Sequence, residues 1–140
     1  MVRRVWSLVL LGMIWSCATA MAANPGKEAA AVAAAEQWLA MVDAGKYAAS
    51  WQEAAGLFRG AVAQDQWVHS LQAVRKPLGR LMSRKVQSKT YTTALPGAPD
   101  GEYVVIRFDT AFVNKAGALE TVTPMMDKDG TWRVSGYYIK

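Results

Sequence analysis

The chain has little of what reactive sites are made from. Its 140 residues include one cysteine, Cys17, and one histidine, His69. A single cysteine excludes an internal disulfide, and one histidine without cysteines at ligand spacing excludes the common zinc arrangements. Long apolar runs are also scarce. The most apolar stretch, VWSLVLLGMIW at 5–15, has 11 residues, whereas a helix that spans a bilayer needs about 20. No serine stands in a Gly-x-Ser-x-Gly setting. Asp127 and Asp129 in DKDG supply half of a calcium loop at most, and read as turn residues. No cofactor motif is present.

What is there begins with an address. A basic start (MVRR), the apolar run and the small residues ATAMAA follow the order of a secretory signal peptide. Ala20-Met21-Ala22 fits the cleavage pattern, so the expected division is a signal at 1–22 and one domain at 23–140. Cleavage removes 22 of the 140 residues, leaving 118, and takes away Arg3, Arg4 and Cys17, so formal charge falls from +5 to +3. Cys17 follows Ile14-Trp15-Ser16, and bulky Trp15 stands where a lipoprotein signal wants a small residue. A periplasmic or secreted domain without disulfides and without a transmembrane segment is expected, and it must be held by its core. A membrane-attached module acylated at Cys17 is the less favoured alternative.

The first half of that domain is helical by spacing. Asn24 is a candidate N-cap with Pro25 in the first turn, and Val32, Ala35, Leu39 and Val42 share one face before a stop at Gly45. Trp51, Ala55, Phe58 and Val62 define a second helix over about 46–62. Trp67, Leu71, Val74 and Leu78 define a third over about 64–78. The second half alternates, with β-branched and aromatic residues between PGAPDG, NKAG and DKDG. Four antiparallel strands are expected, at 82–95, 103–113, 118–126 and 131–139. The fold class is therefore α+β, with three short amphipathic helices on one face of a four-stranded antiparallel sheet.

Closing the hairpins as Leu95–Tyr103, Val113–Ala118 and Met126–Thr131 sorts the residues into an apolar face and a charged face. Asp109, Lys89, Arg107, Glu120 and Arg133 fall on the charged face. Ser88, Thr110, Thr121 and Gly136 then form one row of small residues on the covered face, either lining a cavity or filled by Trp38, Trp51 and Trp67. These seven residues are the candidate ligand-binding set. The PGAPDG loop leads into a strand rather than a helix, so it reads as a bend and not as a phosphate cradle.

AAEQWLAMVDAGKYAASW (34–51), FRGAVAQDQW (58–67), AVRKPLGRLMSRKV (73–86), YTTALPGAPDGEYVVIRFDTAF (91–112) and WRVSGYYIK (132–140) resemble a bacterial family of exported proteins, domain of unknown function 4019. The element order also resembles cystatin-like and NTF2-like shapes. The family resemblance implies a small exported protein and brings no catalytic residues with it.

These features point to a non-enzymatic envelope protein that binds a small ligand or a protein partner between helices and sheet. The alternative is an NTF2-like hydrolase or isomerase pairing Asp109 or Glu120 with His69. The basic segment RKPLGRLMSRK, with Arg75, Lys76, Arg80, Arg84 and Lys85, has the charge that nucleic acid attracts. Export argues against nucleic acid as a partner, and leaves anionic lipid, acidic glycan or plain solvent to face these residues.

Overall fold

A computed structural model describes residues 23–140. The expected signal segment and Cys17 lie outside the described residues. The domain is α+β: helices α1 (Pro25–Asp43), α2 (Tyr47–Gln52), α3 (Gly56–Ala61) and α4 (Gln64–Val74), a 3₁₀ turn (Lys76–Leu78), then strands β1 (Leu81–Thr92), β2 (Tyr103–Phe112), β3 (Lys115–Met126) and β4 (Trp132–Ile139). The strands form one antiparallel sheet in sequence order.

Helix α1 begins and ends as its residues dictate. The Asn24 side chain accepts a hydrogen bond from the Lys27 amide at the N-cap. At the other end Lys46 N–H donates to Met41 O and Gly45 N–H to Val42 O. Gly45 has φ +76°, the left-handed conformation that this paired closure requires. The expected second helix is instead two, α2 and α3. The chain is extended at Ala55, whose amide donates to Val134 O of β4 at 2.8 Å. That bond ties the break to the sheet, and both Ala54 and Ala55 are completely buried.

One face of the sheet packs on the helices. Val104, Ile106 and Phe108 of β2, Val122 of β3 and Val134 of β4 meet Ala31, Ala35, Trp38, Leu39 and Val42 of α1, with Trp67 and Leu71 of α4. The aromatic rings interlock: Phe58 meets Trp67 edge-on at 4.9 Å, and Trp38 meets Tyr137 edge-on at 5.3 Å. Their polar ends are satisfied as well. Trp38 Nε1 donates to Ser50 O, Trp67 Nε1 to Ser50 Oγ, and Trp51 Nε1 to Val62 O. Trp38 and Trp67 belong to the core, and Trp51 is partly buried against it.

The register differs from the expected one. β2 and β3 turn at Val113-Asn114, closing as Phe112↔Lys115 rather than Val113–Ala118, because Asn114 is anchored on the 3₁₀ turn: its amide donates to Leu78 O and its side chain to Pro77 O. β1 and β2 close at Thr92↔Tyr103 rather than from Leu95. The loop between them is held by Gly101 N–H to Thr93 O and by Tyr103 OH to Pro99 O. Over Tyr103–Thr110 of β2 the partner on β3 is offset by three residues from the expected one, and so is the partner on β1 from Ser88 to Thr92; an odd offset turns side chains to the other face. Pro124 adds a third departure. It lacks an N–H in a central strand, and the ladder steps past it through an extra residue, Ser135, in β4. Past that bulge Tyr137 and Ile139 face the helices, and Tyr138 faces out.

Candidate functional site

With the register corrected, the inner face carries the rows Val86–Phe108–Glu120–Ile139 and Arg84–Thr110–Ala118. Glu120, expected on the charged outer face, is inside and fully buried. Its Oε1 accepts from Arg84 Nε at 2.7 Å and Thr110 Oγ1 at 2.6 Å. Its Oε2 accepts from Arg84 Nη2 at 3.2 Å and from the Tyr137 hydroxyl. Arg84 also grips Asp43, at the end of α1, through Nη1 at 2.7 Å and Nη2 at 3.0 Å. Arg75, which caps α4, reaches Asp43 at 3.2 Å, donates to Gly79 O and lies over the Phe112 ring at 4.3 Å.

Two guanidinium groups and two carboxylates make this cluster neutral. The four hydrogen bonds to Glu120 occupy the acceptor capacity of a carboxylate. No lone pair is left to take a proton from a substrate, and Glu120 itself has no exposed surface. Burial alone would lower the Arg84 pKa, but hydrogen bonds to Asp43 and Glu120 outweigh it and hold that pKa above its ordinary value. Burial, reinforced by the neighbouring Glu120 carboxylate, pushes the Tyr137 phenol well above its ordinary value. Tyr137 is thus a fixed donor.

The expected histidine–carboxylate pair is not assembled. His69 is exposed on α4, and among the described residues it makes no ion pair or side-chain hydrogen bond. Asp109 is exposed on the outer face, opposite Lys85, and accepts from Gln87 Nε2 at 3.2 Å.

The small-residue row is dispersed by the corrected register. Ser88 and Thr121 share an outer row with Arg107 and Tyr138, Gly136 pairs with Thr123, and Thr110 belongs to the inner cluster. Trp67, by contrast, borders real space. It lines an apolar slot of about 320 Å³ between α4 and β4, with Leu71, Val74, Tyr137, Tyr138 and Ile139. Val74 and Tyr138 stand at its mouth, 54% and 53% exposed. A smaller space of about 130 Å³ borders Trp38, Met41, Trp132 and Val134.

A family model described as a protein of unknown function, DUF4019, matches residues 34–137. The chain belongs to this family. No curated protein and no solved structure shows detectable similarity to it. The DUF4019 match includes Asp43, Arg75, Arg84, Thr110, Glu120 and Tyr137, the whole buried cluster.

Tyr137 has a consequence for alkaline stability. Its folded pKa lies above the unfolded value of about 10, so its contribution is intact below that pH and declines as pH rises beyond it. Denaturant unfolding between pH 9 and 11.5 should show the parent losing stability more steeply than Tyr137→Phe, by up to about 1.4 kcal/mol per pH unit. Parallel slopes would mean that the phenol is not held protonated.

Proposed function

We propose that this DUF4019 protein acts after export as a non-catalytic binding domain of the cell envelope. Its slot between α4 and β4 takes an apolar side chain from an extended peptide segment of a partner protein. The basic, apolar and small-residue order of residues 1–22 supports export. The saturated, inaccessible Glu120 and the solitary His69 support a role without catalysis.

The observation that carries the peptide reading is the free edge of β4. Leu119 and Lys140 exchange both backbone hydrogen bonds. By the alternation of an antiparallel ladder, Tyr137 and Ile139 direct their N–H and C=O groups away from β3. Those groups have no strand partner among the described residues. They run beside the apolar slot, so a peptide added as a fifth strand would gain main-chain bonds and a side-chain pocket together. A small apolar ligand is a second reading, favoured by the slot volume, which lies at the lower end of the range for small-molecule sites.

Intact-mass measurement of the protein made by the cell tests export: loss of about 22 residues is expected, and retained Cys17 carrying lipid mass would instead make it an anchored module. Thermal melting against fractionated envelope extract tests binding. A ligand at 100 times its Kd adds about 2.7 kcal/mol, on the order of a 10 °C rise in Tm. The peptide fraction should produce such a shift in the parent and none in Val74→Glu, which charges the slot mouth. A shift with the lipid-soluble fraction alone would favour the small ligand, and no shift with any fraction contradicts both.

A further inference from the structure

The basic segment singled out in the sequence is divided by the fold. Arg75 and Arg84 turn inward and are matched by Asp43 and Glu120. Lys76, Arg80 and Lys85 turn outward and are exposed. Lys115, half-buried, stands at the same end, because the β2–β3 turn is stitched to the start of β1: Val113 N–H donates to Arg80 O, and Asn114 N–H to Leu78 O. Among the described residues none of these four cations forms an ion pair. The acid facing this group is Asp109, opposite Lys85 and bonded by Gln87.

Between the cations stand two apolar side chains that the core does not use. Met82 is 59% exposed and Val113 54% exposed. Met82 is the bulged residue between the pairs Leu81↔Phe112 and Ser83↔Ala111, and Val113 follows Phe112 into the turn, so both stand at one end of the sheet. Cations alone would suit any polyanion. Cations around protruding apolar side chains suit a surface that is anionic at its face and apolar beneath it. Binding to single-stranded nucleic acid would instead use exposed aromatic rings for stacking, and the aromatic residue at this end, Phe112, is buried beneath Arg75.

We propose that this end of the domain docks peripherally on an anionic lipid bilayer, with Lys76, Arg80, Lys85 and Lys115 among the headgroups and Met82 and Val113 entering the interface. The proposal is independent of the α4–β4 slot. Each basic residue at such a surface is worth about a fivefold change in partitioning.

Co-sedimentation of the cell-made protein with vesicles of phosphatidylethanolamine and phosphatidylglycerol, or of phosphatidylcholine alone, tests it. Binding should favour the acidic vesicles and fall with added salt. Arg80→Glu/Lys115→Glu should weaken it at least about tenfold. Met82→Ser/Val113→Ser, which keeps the charge, should weaken it severalfold while leaving the melting temperature unchanged. Equal binding to neutral vesicles, an unaffected serine double variant, or binding to heparin or polyphosphate without binding to vesicles would each overturn it.

Discussion

The buried carboxylate of Glu120 is the constraint around which this domain is arranged. An ionised group out of reach of water must have its partners supplied by the chain. Arg84 comes from β1, Thr110 from β2 and Tyr137 from β4, so the partners of one β3 side chain span the sheet. Arg84 in turn requires Asp43 at the end of α1, and Asp43 is shared with Arg75 at the end of α4. A cluster of this kind is weak evidence of net stability, since well-packed apolar residues can do as well. What it supplies is exclusiveness. A strand slipped by one residue, or a helix rotated on the sheet, leaves a charge buried alone.

In the interior a neutral polar cluster around Glu120 adjoins an interlocked aromatic group, and Tyr137 belongs to both. Among the described residues, the carboxylates of this cluster are held by Arg75, Arg84, Thr110 and Tyr137. The surface offers a strand edge beside an apolar slot, and a cationic end bearing Met82 and Val113. The binding role and the membrane docking proposed above rest on these two features.

Much of the architecture was legible in the residues. Spacing of apolar side chains located α1 and α4, Gly45 marked a helix end, and alternation with turn residues located all four strands. The register was not legible, for three reasons. Asn114 is held by the 3₁₀ turn, a long-range contact that no short window contains, so the hairpin closes two residues earlier than NKAG suggests. The loop after β1 is longer than PGAPDG alone, and Gly97 takes the positive φ within it. Pro124 was a visible signal, because a proline in a central strand demands a bulge, and the bulge is what turns Tyr137 inward. Once side chains were assigned to the wrong face of β3, Glu120 read as a surface charge and the small residues as a row. Thr110 and Trp67 were singled out, but each serves a different neighbour from the one expected.

The most direct test of the central role of Glu120 is a double-mutant cycle between Arg84 and Glu120, followed by denaturant unfolding. Arg84→Met alone should cost about 3–5 kcal/mol, since it strands Glu120 as a buried charge. Adding Glu120→Leu should return more than about 1 kcal/mol, because Asp43 still has Arg75 and no unmatched charge is left inside. Losses that simply add, within about 0.5 kcal/mol, would show that the two side chains act independently and that the fold does not depend on their pairing.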